Sequence, residues 1–106
     1  MKLLTKEILE AFRKQGNCQD KKAEDVKIIC KFFNSAGRGK WYATEYDEKE
    51  KCFFGFVSLF NDHCDELGYF SLAELESVKG PFGLGIERDL YFGDHNLKEV
   101  LDGARP

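Results

Sequence analysis

Leu4, Ile8, Leu9 and Phe12 recur at offsets of four, five and eight residues, the spacing of one apolar stripe on a helix over residues 4–15. Gly16-Asn17 stops it, and the polar, charged stretch 18–25 reads as a loop. From Val26 the period drops to two. Val26, Ile28, Cys30 and Phe32 alternate with Lys27, Ile29, Lys31 and Phe33, predicting a strand over 26–34. Small and glycine residues over 34–39 then supply a turn.

The next two runs predict an antiparallel hairpin, with strands over 40–47 and 52–60 around a charged tip. Strict alternation in the first run sets Trp41, Ala43 and Glu45 against Tyr42, Thr44 and Tyr46. The second is apolar on both faces, which places it inside a sheet. Ser71 and Glu74 form a capping box that opens a short helix over 72–78, closed by Lys79-Gly80-Pro81. Ile86, Arg88, Leu90 and Phe92 alternate with Glu87, Asp89 and Tyr91 in a last strand over 86–92. Asn96 and Glu99 repeat the capping pattern ahead of a helix over 97–102. The order predicts an α+β fold: a small antiparallel sheet of about four strands with helices packed on one face.

Bulk properties narrow the function classes. At 106 residues the chain is expected to form a single domain, and 42% hydrophobic residues supply a core without metal or disulfide. Sixteen basic residues against 19 acidic give a net charge of −3 with no basic stripe, which argues against direct nucleic-acid binding. No apolar run reaches the length of a membrane span and the N-terminus lacks a signal-peptide core, so a cytoplasmic location is expected. The four cysteines, Cys18, Cys30, Cys52 and Cys64, are then expected to be reduced.

Candidate chemistry is sparse. The glycine-rich stretch from Gly80 to Gly85 follows a helix and enters a strand, the reverse of the order that aims helix N–H groups at a phosphate, so it reads as a turn. The cysteines, His63 and His95 contain no Cys-x-x-Cys or His-x-x-x-His spacing, and no metal or cofactor is implied. Cys64, with His95 as its base, is a weak nucleophile candidate, because Asp62, Asp65 and Glu66 disfavour a thiolate. Glu45, Glu87 and Asp89 form an alternative acidic site: two adjoining strands could converge them in an aromatic cleft, as a small hydrolase or nuclease requires. The plainer reading makes them solvated outward residues of the sheet. Trp41, Tyr42, Tyr46, Tyr69 and Tyr91 are the candidate protein contacts, since a small sheet cannot bury all of its rings and these two residue types anchor interfaces.

Four blocks, WYATEYD (41–47), FFGFV (53–57), ELGYFSLAELE (66–76) and IERDLYF (86–92), resemble in order and spacing a bacterial family known only as a domain of unknown function, found on plasmids, conjugative elements and phage-like DNA. The N-terminal helix and the 18–25 loop have no counterpart in that resemblance. It implies an accessory protein of mobile DNA and carries no catalytic residue over. The expected function is a non-enzymatic module that binds a protein partner, with an inhibitor of a host defence complex, CRISPR or restriction, as the specific form. DNA mimicry would require far more negative charge than −3.

Overall fold

The computed structural model describes residues 2–59 and 65–106. Thr5 opens helix α1 (Lys6–Gln15) by accepting the Ile8 N–H at 3.2 Å, and Gly16, at φ 64°, closes it by donating to Phe12 O. Five strands follow, β1 (Cys30–Asn34), β2 (Lys40–Asp47), β3 (Cys52–Ser58), β4 (Glu66–Ser71) and β5 (Ile86–Arg88), with α2 (Leu72–Ser77) between β4 and β5 and α3 (Leu97–Leu101) last. They form one antiparallel sheet in the order β4-β3-β2-β1-β5. The α+β class and the antiparallel sheet are as expected. Both capping signals hold as well, with the Ser71 and Asn96 side chains accepting the N–H groups of Glu74 and Glu99.

Three features depart from the sequence reading. The sheet has five strands, because residues 66–71 pair with β3 from Cys52↔Ser71 to Val57↔Glu66. The first and last predicted strands are shorter than their alternation suggested. Residues 26–29 precede β1: Ile28 N–H bonds to His95 O and Leu97 N–H to Val26 O, so the entry to α3 takes these pairing groups, and only Ile29 N–H reaches β2, at Ala43 O. The last strand ends at Arg88, because the Asp89 side chain accepts the Tyr91 N–H at 2.9 Å and turns the chain.

The third departure is that helices cover both faces. One core joins Phe12 of α1 and Leu75 of α2 to Phe32, Ala43, Phe53 and Phe70. The other joins Leu97 and Val100 of α3 to Val26, Ile28, Tyr42 and Phe56. Neighbouring residues of one strand point to opposite faces, so Tyr42 and Ala43 place α3 across the sheet from α1 and α2. Each fully buried ring in these cores contributes ~2 kcal/mol. The C-terminal segment straps the α3 face. Arg105 lies 4.7 Å from the Phe56 ring centre and bonds to Asp65 Oδ2, while Tyr42 donates its hydroxyl to Pro106 O.

Gly55 in β3 is a steric requirement. A Cβ there would lie 1.9 Å from the carbonyl oxygen of Tyr42, on the neighbouring strand. Backbone cannot move aside as a flexible side-chain tip can, so Gly55→Ala is expected to lower stability by at least about 2 kcal/mol in urea unfolding. An unchanged midpoint would show that β2 and β3 can separate at that point.

Candidate functional site

The β2–β3 register shifts between Ala43 and Glu45, making Thr44 a bulge residue. The bulge is held from two sides. Thr44 donates its hydroxyl to Phe54 O at 3.1 Å, and Gln15, at the end of α1, donates its side-chain amide to Thr44 O at 2.7 Å and to Lys27 O at 2.8 Å. The same amide accepts the Lys27 N–H at 3.0 Å. A helix end, a bulge and the start of the next segment are thereby tied to one glutamine.

The bulge overturns the alternation expected for this strand. Tyr46 lies opposite Phe53, with ring centres 4.6 Å apart, on the face of α1, whereas Tyr42 packs on the opposite face. Glu45 lies opposite Phe54, the neighbour of Tyr69. One inserted residue therefore sends an aromatic and an acid to the faces opposite those the period predicted.

Around this hairpin end lies a groove of about 710 Å³. Phe12, Tyr46, Phe54 and Tyr69 are its aromatic lining, and Glu45, Asp47, Glu48 and Glu50 supply acid. Arg13 also lines the groove and is paired with Glu48. Glu45 accepts the Cys18 N–H at 3.3 Å, and Asp47 accepts the N–H groups of Lys49 and Glu50, which rigidifies the tip. Tyr69 is 77% exposed and meets Phe54 edge-on at 4.8 Å between ring centres. Exposed as it is, this ring is held in place by its neighbour.

The remaining candidates disperse. Tyr42 is fully buried, and Trp41 packs half-buried against the first core. Tyr91 is 93% exposed but follows β5, at the sheet edge opposite Tyr69; four strand spacings separate those edges by about 19 Å. Glu45, Glu87 and Asp89 line three different cavities. Asp89 is paired with the buried amine of Lys31 at 3.4 Å. These acids do not meet at one ion or water, as the hydrolase reading required. His63 and Cys64 lie outside the described residues, and so does Phe60, the end of the expected third strand. His95 Nδ1 is 2.7 Å from Glu99 Oε2 and its ring packs on Phe92. Among the described residues no three His, Cys, Asp or Glu side chains could share a metal ion, and no helix is long and apolar enough to cross a membrane.

Cys18, Cys30, Tyr42 and Tyr46 are unsuited to nucleophilic chemistry. Burial and then the Glu45 charge raise the Cys18 thiol, and burial pushes Cys30 up to about 12. Tyr42 is likewise pushed up by burial to about 12, and burial followed by Glu48 and Asp47 raises Tyr46. Phe54, Asp47, Glu48 and Glu50 were missed as site residues. Their signal was present in the acidic run at the hairpin tip, but a charged turn looks the same whether or not a groove opens beside it.

Cys30 and Tyr42 have ordinary values of 9.0 and 10.0, so the unfolded chain gives up both protons before the folded one does. Their contribution to stability is complete below pH 9 and is lost as the pH climbs through about 12. Urea midpoints should therefore fall between about pH 8 and pH 11. The fall should be smaller in the Cys30→Ala, Tyr42→Phe double variant, and an equal fall would assign the effect to other groups.

The family model described as "Protein of unknown function (DUF2958)" matches residues 3–105. Neither the curated proteins nor the solved structures give a match.

Proposed function

We propose, for a chain that belongs to the DUF2958 family of unknown function, that it is a non-enzymatic module that binds a protein partner through the groove at the β2–β3 hairpin end. One observation carries this reading: the 77% exposed ring of Tyr69, braced by Phe54, stands beside four carboxylates in a groove whose single lining cation among the described residues is already paired. Tyrosine is a preferred interface anchor because it covers much apolar area with few rotatable bonds and keeps a polar tip. The carboxylates favour a basic partner surface and oppose a phosphate backbone.

The finer proposal is that this partner belongs to the host cell or to a mobile element, with a CRISPR or restriction complex as the specific form. Its support is the sequence resemblance given above, and a net charge of −3 favours steric blocking over imitation of a duplex.

Capture from host lysate separates the groove from the rest of the surface. Wild type and Tyr91→Ala should recover the same partner, and Tyr69→Ala should lose about nine-tenths of it at matched thermal stability, as truncation of an interface anchor does. Equal recovery by all three proteins would remove the groove from the interaction.

A further inference from the structure

The two edges of the sheet differ in their defence against a further strand. β5 is three residues long, and two of them, Glu87 and Arg88, are charged. β4 is six residues long with the sequence ELGYFS, has no proline or lysine, carries its only charge at its first residue, and pairs with β3 without a bulge. Short length, inward charge, proline and bulges are how sheets discourage pairing at an edge, and β4 lacks all four.

The phase of the β3–β4 ladder fixes which backbone groups point outward. Leu72 N–H bonds to Lys51 O at 3.0 Å, and the register continues without a break from Cys52↔Ser71 to Val57↔Glu66. In an antiparallel ladder that phase turns the N–H and C=O groups of Glu66, Gly68 and Phe70 toward β3 and those of Leu67 and Tyr69 away from it. Among the described residues no hydrogen bond reaches these outward groups. The side chains of Leu67 and Tyr69 are exposed on the same sheet face, and Tyr69 also lines the acidic groove.

We infer that β4 accepts an extended, basic segment of a partner protein as a sixth strand, with its Lys or Arg side chains over Tyr69 and in reach of the groove acids. The inference rests on the protein-binding reading above and supplies its mode. The backbone of such a segment would pair with the outward groups of Leu67 and Tyr69. Alternate side chains would fall on the groove face, where a cation can lie on the Tyr69 ring and approach Glu45 and Glu50, and on the α2 face beside Phe70. A second copy of this chain fits less well. Antiparallel self-pairing would bring Glu66 of each copy to the other's Phe70–Ser71 end, next to the acidic groove, in a protein already at −3.

The probe is a peptide of about eight residues, long enough to span β4, in which Arg alternates with Val; the control replaces each Arg by Glu. The Arg peptide should bind, lose affinity with added salt, and slow hydrogen exchange at the Leu67 and Tyr69 amides, while the Glu peptide should not bind. Leu67→Pro deletes an outward N–H and leaves the β3 ladder whole, so it and Tyr69→Ala should each weaken binding about tenfold without loss of fold by circular dichroism. Equal binding of the two peptides, unaltered exchange at those amides, or wild-type affinity in Leu67→Pro would overturn the inference. So would a concentration-dependent dimer that Leu67→Pro dissolves, since a second copy would then occupy the edge. If these arms fail while lysate capture still depends on Tyr69, strand addition falls and the groove reading stands; if capture also fails, both fall.

Discussion

The ring of Phe53 is the contact through which the elements of this fold are held together. Fully buried, it lies 5.8 Å from Phe12 of α1, 5.2 Å from Phe32 of β1, 4.6 Å from Tyr46 of β2 and 5.4 Å from Phe70 of β4, centre to centre. Four other elements thus share one desolvated side chain. Dispersion and the exclusion of water act on all four together, so none can move without opening space beside Phe53. The walls of the groove inherit this restraint, because Phe12 and Tyr46 belong to it directly and Phe70 fixes the strand that carries Tyr69.

The bulge at Thr44 converts that rigid core into a usable surface. A regular β2 would carry Tyr46 and Tyr42 on one face and Glu45 on the other. With one extra residue, tied down by Gln15 and by its own hydroxyl, the strand delivers a tyrosine to the core and an acid to the sheet face of Phe54 and Tyr69. Bulges recur beside binding sites because they re-aim a side chain at the cost of a local break in the ladder. Here the acid so placed joins the carboxylates of the hairpin tip, giving an aromatic groove a negative charge.

Much of the fold is legible in the linear sequence wherever local chemistry has one outcome. Ser71 and Asn96 cap helices because a side-chain oxygen three residues ahead of an N–H can satisfy it locally. Two-residue periodicity located the β2–β3 hairpin and gave the interior place of β3. The same reasoning failed at 66–71, where a glycine interrupts a short apolar run and the strand is created by a ready partner in β3. It also overextended the strands at 26–34 and 86–92, whose ends are taken by α3 and by the Asp89 side chain, respectively.

The candidate site divides along the same line. Composition by itself determined that rings would outnumber reactive groups and that some tyrosines must reach solvent. Which ones do so was a tertiary decision: Tyr42 is sealed by α3 and the C-terminal strap, Tyr46 is flipped inward by a bulge, and Tyr69 is left outside on an edge strand. The reason is physical. Capping and alternation act between residues a few positions apart and are written in the chain itself, whereas exposure, register and the meeting of charges depend on which distant segments arrive alongside.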